Sequence, residues 1–209
     1  HITTADELAL FSTAPLADKR ITAEVCVHHL FFADDDYTQL GAQIKCNPAV
    51  KTAADRAALR EALSSGQLDV IGTDHAPHTW AEKQQSYFQA PSGLPLVQYA
   101  LPALLELYHD GVLSLNQIAR KTAHNVADLF QIEARGYLRE GYWADFVLVD
   151  LNNPNLIERE DNLSLCGWSP FEGYTLRSQI NATVVSGELA YQAGEFLAVP
   201  MGQRLQFNR

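Results

Sequence analysis

The stretch Gly72-Thr73-Asp74-His75-Ala76-Pro77-His78 constrains this chain more than any other. It follows Leu68-Asp69-Val70-Ile71, a short apolar run that reads as a buried strand. A carboxylate and two imidazoles therefore crowd the carboxyl end of a strand. In a barrel of parallel strands that end faces the catalytic mouth. Asp and His are also common ligands for a divalent metal. The plainer alternative is a polar strand-to-loop turn with surface histidines.

The rest of the chain fits an alternating pattern up to about residue 134. Residues 4–11 read as a short helix, with Thr4 as N-cap and Glu7 completing a capping box. Residues 21–30 are β-branched and alternating, hence a strand. The segment from Lys45 to Lys51 is a loop closed by Pro48. Thr52 caps a helix to about Ser64, with Ala57, Leu59, Ala62 and Leu63 on its apolar face. Residues 68–73 form the next strand. Residues 79–93 form a polar loop, long enough for a lid or binding loop. Residues 94–108 are apolar nearly all round and predict a buried helix with a kink at Pro102. Ser114 and Gln117 box the start of a helix running to about Phe130.

From residue 135 the character changes. Residues 144–150 read as a strand, and Ser186-Gly187 between two β-rich runs predicts a hairpin. The expectation is an α/β part over 1–134 and a mostly β part over 135–209, without internal repeats.

Composition narrows the function. Of 209 residues 47% are hydrophobic and 19% charged, as in a globular chain with a real core. The count of 15 Lys+Arg against 25 Asp+Glu gives a net charge of −10, which argues against nucleic acid as a partner. Small anionic substrates stay open, because a metal reverses the local field. Cys26, Cys46 and Cys166 are widely spaced and form no CxxC, so a reducing cytoplasm is the simplest compartment. Neither a signal peptide nor a membrane-length apolar run is evident. Asn181-Ala182-Thr183 matches a glycosylation pattern but reads as chance within a strand. The opening His1-Ile2-Thr3-Thr4 reads as a strand end running into a helix cap, so an earlier segment is expected before it.

Candidate chemistry thus sits at His1, at Asp74, in the Asn47 loop between them, and at His78. With Lys45-Cys46-Asn47-Pro48, the heptapeptide at 72–78 and Ala90-Pro91-Ser92-Gly93-Leu94 in this order, the chain resembles the dihydroorotases of the amidohydrolase superfamily. Lys121-Thr122-Ala123-His124-Asn125, Arg135 to Gly141, Ala144-Asp145 and Gly167-Trp168-Ser169-Pro170-Phe171-Glu172-Gly173 fit as well. The likeness runs through the whole sequence but covers only about the carboxyl-terminal half of such an enzyme. Thr-Asp-His alone occurs across the superfamily. Asn47 and His78 favour dihydroorotase over allantoinase and hydantoinase.

The resemblance implies the carboxyl-terminal part of a (β/α)8 TIM-type barrel, followed by part of a small β-sandwich domain. It implies reversible interconversion of dihydroorotate and N-carbamoyl-L-aspartate in de novo pyrimidine synthesis. Asp74 would bind metal and carry the proton from attacking water to the leaving nitrogen. His1 would be a second metal ligand. Asn47 and His78 would hold the ring and its carboxylate, and the backbone at Pro91 and Gly93 would meet the pyrimidine edge. The cofactor implied is zinc, as a pair of ions with most ligands outside these residues, in a homodimer.

Other histidines and the remaining polar groups read differently. His28-His29 reads as a packing pair closing a strand, and His75 as orienting a neighbour. His109 and His124 sit on helices away from the chemistry. Glu82 and Lys83 read as a solvated face, and Cys46 as a buried neutral thiol.

Departures from the family are large. No His-x-His occurs, and the bridging lysine and fifth-strand histidine would lie before His1. His1 and Asp74 fall short of the three protein ligands a catalytic zinc needs. Two strands and a stub fall short of an eight-stranded barrel of about 250 residues. The chain is therefore expected to be inactive without an amino-terminal half of the same protein. Alternatives are another cyclic amidase, such as a hydantoinase or allantoinase, or a non-catalytic dihydroorotase-like subunit.

Overall fold

The computed structural model describes residues 1–197 and 202–208. In chain order come α1 (Ala5–Leu8), β1 (Glu24–Cys26), α2 (Val27–Phe31), α3 (Tyr37–Leu40), α4 (Ala53–Ser65) and β2 (Val70–Gly72). They are followed by α5 (Trp80–Lys83), α6 (Ala100–His109), α7 (Leu115–Ala119) and α8 (Asn125–Phe130). The remaining elements are strands: β3 (Phe146–Asp150), β4 (Asn155–Leu156), β5 (Thr175–Leu176), β6 (Gln179–Val185), β7 (Glu188–Gln192) and β8 (Glu195–Phe196).

Strands β1 and β2 pair in parallel, with Cys26 opposite Gly72. The Ile2 N–H donates to the Glu24 carbonyl at 2.8 Å, so the chain start lies alongside β1. This register brings His1, β1 and the 72–78 segment to one end. Helix α4 covers the layer, burying Leu59, Ala62 and Leu63. Its Thr52–Asp55 capping box satisfies both orphan N–H groups, and Gly66 at φ +88° closes its carboxyl end. Boxes at Thr4–Glu7 and Ser114–Gln117 form as expected.

An aromatic knot joins the two regions. Phe171 packs edge-on to Phe31 at 5.0 Å and stacks on Phe32 at 5.4 Å. Arg177 reaches across from beside β5 to Glu106 on α6, at 2.7 Å. Beyond it, β3-β6-β7-β8 form an antiparallel sheet in that order. Ser186 and Gly187 link β6 to β7 with φ of +53° and +88°, the conformation of a tight hairpin turn.

Several expectations need correction. The strand expected over 21–30 stops at Cys26, and His28-His29 lie in α2. The partner β2 ends at Gly72, so beyond Cys26 the backbone has no ladder to join, and β propensity yields to context. The helix expected from Leu94 begins at Ala100 after a 3₁₀ turn at 97–99, because Leu94 bridges to His75 instead. Pro102 therefore falls in the first turn, where its missing N–H costs nothing, and no kink is needed. The polar loop contains α5, boxed by Thr79 and Glu82.

Lys83 is not on a solvated face. It is 1% exposed, and its ammonium donates to the carbonyls of Lys45 (3.1 Å), Pro91 (2.9 Å) and Gly93 (2.9 Å). Burial pushes its pKa down from 10.5 to about 8. Between those values the unfolded chain binds more protons than the folded one, so this group's contribution to stability rises with pH. The stability difference between wild type and Lys83→Met should therefore grow in favour of wild type from pH 8 to 10.5 in urea titrations. A pH-independent difference would refute the buried ammonium.

Candidate active site

The site is built where the chain start runs alongside β1 and the chain leaves the carboxyl end of β2. His1 Nδ1 lies 2.5 Å from Glu24 Oε1, while His1 Nε2 faces Asp74 Oδ1 at 3.5 Å. Two ligands bound to one tetrahedral metal at ~2.1 Å stand ~3.4 Å apart. The His1–Asp74 edge therefore fits a shared ion. Glu24 on the far ring nitrogen holds His1 as a carboxylate would hold a histidine that binds a metal. Burial raises the Glu24 pKa, and the Asp74 charge adds to the shift. Such an excess of negative charge suits a divalent cation.

Asp74 holds its position at φ +47°, a left-handed conformation that Asp tolerates better than most residues. Gly72 makes room behind it. A Cβ there would meet Glu24 Oε2 at 2.6 Å. Cys26 Sγ lies 3.1 Å from His1 Nδ1, and burial drives this thiol far above its usual pKa.

The surrounding loops pack as a unit. His78 Nε2 lies 3.1 Å from the Ser92 carbonyl, and the His78 carbonyl accepts from Trp168 Nε1 at 2.7 Å. Gly93 has φ +136°, and a Cβ on it would meet the Ala76 carbonyl at 2.4 Å. Its N–H donates to Lys45 O at 2.9 Å. With Lys83 on the Pro91 and Gly93 carbonyls, these backbone groups are engaged inside the protein. Asn47 is exposed on the same loop as Lys45, and no hydrogen bond holds its amide among the described residues.

His75 accepts the N–H groups of Leu96 (3.0 Å) and Val97 (3.1 Å) on Nδ1, a fastening role. His109 bonds Ser178 Oγ at 2.8 Å, and His124 stacks on Tyr137 at 4.2 Å. Both stand apart from the His1–Asp74 pair in their contacts. Cys46 is buried, and desolvation lifts its pKa to about 11. The His28 and His29 rings are held neutral by burial, His29 at a pKa of about 4.

Residues 7–190 match the amidohydrolase family. The chain belongs to the amidohydrolase family. It is 45% identical over 153 residues to a dihydroorotase of Halobacterium salinarum, covering 73% of this chain and 36% of that protein. It is 36% identical over 195 residues to the Anoxybacillus flavithermus dihydroorotase, covering 93% of this chain and 45% of that one. The chain thus spans less than half the length of these curated relatives. Among solved structures it superposes on an L-hydantoinase (dihydropyrimidinase) from Arthrobacter aurescens with a TM-score of 0.89 at 27% identity, covering 95% of this chain and 45% of that chain. A dihydropyrimidinase from Brevibacillus agri gives 0.83 at 23% identity, a likeness of fold alone, over 94% and 45%. The mixed α/β architecture fits the carboxyl-terminal part of a TIM-type amidohydrolase barrel.

In this amidohydrolase, Glu24 is the site residue that sequence reading missed. Its one local signal is a lone carboxylate in the run Thr22-Ala23-Glu24-Val25-Cys26; its place beside His1 is a matter of the fold. Glu24→Gln in the full-length protein should weaken divalent-metal affinity about 10–100-fold, read by competition with a chromophoric chelator. Unchanged affinity would remove Glu24 from the metal's surroundings.

Proposed function

We propose that this chain supplies part of the active site of a zinc-dependent dihydroorotase acting in pyrimidine synthesis in the cytoplasm. The observation that carries the reading is the His1–Asp74 pair at 3.5 Å, with Glu24 behind His1. Its specific form is supported by 36–45% identity to dihydroorotases, by Asn47 in the Lys45–Pro48 loop and by His78 just after Asp74. On this reading residues 1–134 are barrel and 135–209 belong to the sandwich domain. The remaining ligands come from an amino-terminal half, and the whole assembles as a homodimer.

Zinc, held here by His1 Nε2 and Asp74, would supply Lewis acidity toward water and the ring carbonyl. Asp74 takes the proton of the attacking water and returns it to the departing ring nitrogen. In the reverse direction the same carboxylate removes the proton from the closing nitrogen. Glu24 fixes the ring plane of His1. Asn47 and His78 are the polar groups offered to the ring and its carboxylate. The backbone at Pro91 and Gly93, steadied by Lys83 on both carbonyls, is the wall offered to the pyrimidine edge.

The full-length protein should hydrolyse dihydroorotate and cyclise N-carbamoyl-L-aspartate, with a kcat/KM far above that for hydantoin, dihydrouracil or allantoin. The likeness to L-hydantoinase makes the opposite preference the second reading. Turnover of the uncharged rings alone would establish it. A zinc-loaded full-length protein inert toward all of them would point to a non-catalytic subunit.

A further inference from the structure

The mechanism above leaves His28 and His29 without a task, although both are buried at 0% and 3% exposure. Cys26, also fully buried, stands just before them where β1 passes into α2. Its thiol and one nitrogen from each ring lie within 4.8 Å of one another. Among the described residues neither nitrogen of His28 has a hydrogen-bond partner, and nor does Nδ1 of His29. Buried polar atoms are almost always bonded to protein, water or an ion, so three orphans on two rings 4.1 Å apart call for a partner. His29 Nε2 lies 2.9 Å from the Pro48 carbonyl, and donation there leaves Nδ1 as a bare lone pair. That outer hydrogen bond is the usual device for aiming a histidine at a metal.

We propose that Cys26, His28 and His29 form a second, buried metal site for a thiophilic divalent cation, zinc being the natural one. The donor set decides the class. One sulfur and two neutral imidazoles suit zinc, whereas magnesium and calcium need oxygen ligands. Binding forms one metal–sulfur and two metal–nitrogen bonds and releases the Cys26 proton to solvent, with no change of oxidation state. A fourth ligand comes from water or a main-chain carbonyl. The site is distinct from the His1–Asp74 pair, though Cys26 Sγ stands 3.1 Å from His1 Nδ1 and forms a shared wall. It does not depend on the dihydroorotase reading.

Cobalt titration of the full-length protein tests this, because thiolate ligation gives a charge-transfer band that imidazole and carboxylate sites lack. The band should appear in wild type and in Cys46→Ser, His1→Asn and Asp74→Asn. It should vanish in Cys26→Ser, and cobalt affinity at the band should drop about 10-fold or more in His28→Gln and His29→Gln. His28→Cys, which keeps a donor, guards against loss through misfolding and should retain the band. A band lost in His1→Asn and Glu24→Gln but kept in His28→Gln would overturn the proposal. It would place the thiolate in the competing His1–Glu24–Cys26 group, whose atoms also lie within 4.8 Å. Absence of any band in wild type would overturn it equally.

Discussion

Asp74→Asn in the full-length enzyme should lower kcat for dihydroorotate by about 10²–10⁴-fold, the usual worth of a positioned acid/base. The substitution is close to isosteric, and asparagine adopts a φ of +47° readily, so the backbone at the strand end is undisturbed. What is lost is the ability to accept a proton from water and return it to nitrogen. The amide also weakens the ligand facing His1 Nε2 at 3.5 Å. Zinc content measured on the same sample separates these effects. Full metal with collapsed kcat assigns proton transfer to Asp74. Collapsed metal with activity restored by excess zinc assigns it ligation alone. A kcat close to wild type at full metal would remove Asp74 from the chemistry.

Asp69→Ala should destabilise the chain by about 3–5 kcal/mol, the typical cost of orphaning one partner of a buried ion pair. Lys19 Nζ lies 2.7 Å from Asp69 Oδ1, with side chains 1% and 3% exposed. The other carboxylate oxygen accepts the Ala23 N–H at 2.9 Å, at the entry to β1. Removing it leaves an ammonium inside with only the Gly66 and Gln67 carbonyls. Urea midpoints of the 209-residue chain measure the loss. The double change Lys19→Met with Asp69→Leu should regain most of it, since both charges leave together. A double variant no better than Asp69→Ala would mean that the Ala23 bond, rather than the charge pair, carries the effect.

Much of this architecture was legible because its signals are local. Thr4 and Ser114 announce helix starts through a hydroxyl and an acid or amide three residues on, Thr52 through its hydroxyl, and all three caps form. Ser186-Gly187 demands a tight turn for the same reason. The pairing of His1 with Asp74 was readable from two strand ends alone. Other features were hidden because they depend on partners distant in sequence. Nothing in Ile21–Leu30 says that β2 stops at Gly72, so the point where strand becomes helix could not be placed. Lys83 sits among polar residues and reads as solvated. Only the convergence of Lys45, Pro91 and Gly93 carbonyls takes it inside. Glu24 became a site residue only when the fold carried its side chain past Gly72 to His1.

The three carbonyls gathered by Lys83 have a consequence for how this mouth admits a ligand. They come from two separate segments, and the N–H of Gly93 binds the same Lys45 carbonyl. To swing this wall outward the protein would have to strip an ammonium of all its acceptors at once. The rim beside Asp74 is thus cast when the chain folds rather than when a ligand arrives. A guest meeting it gives up little entropy on the protein's behalf, and discrimination among rings rests on shape settled beforehand.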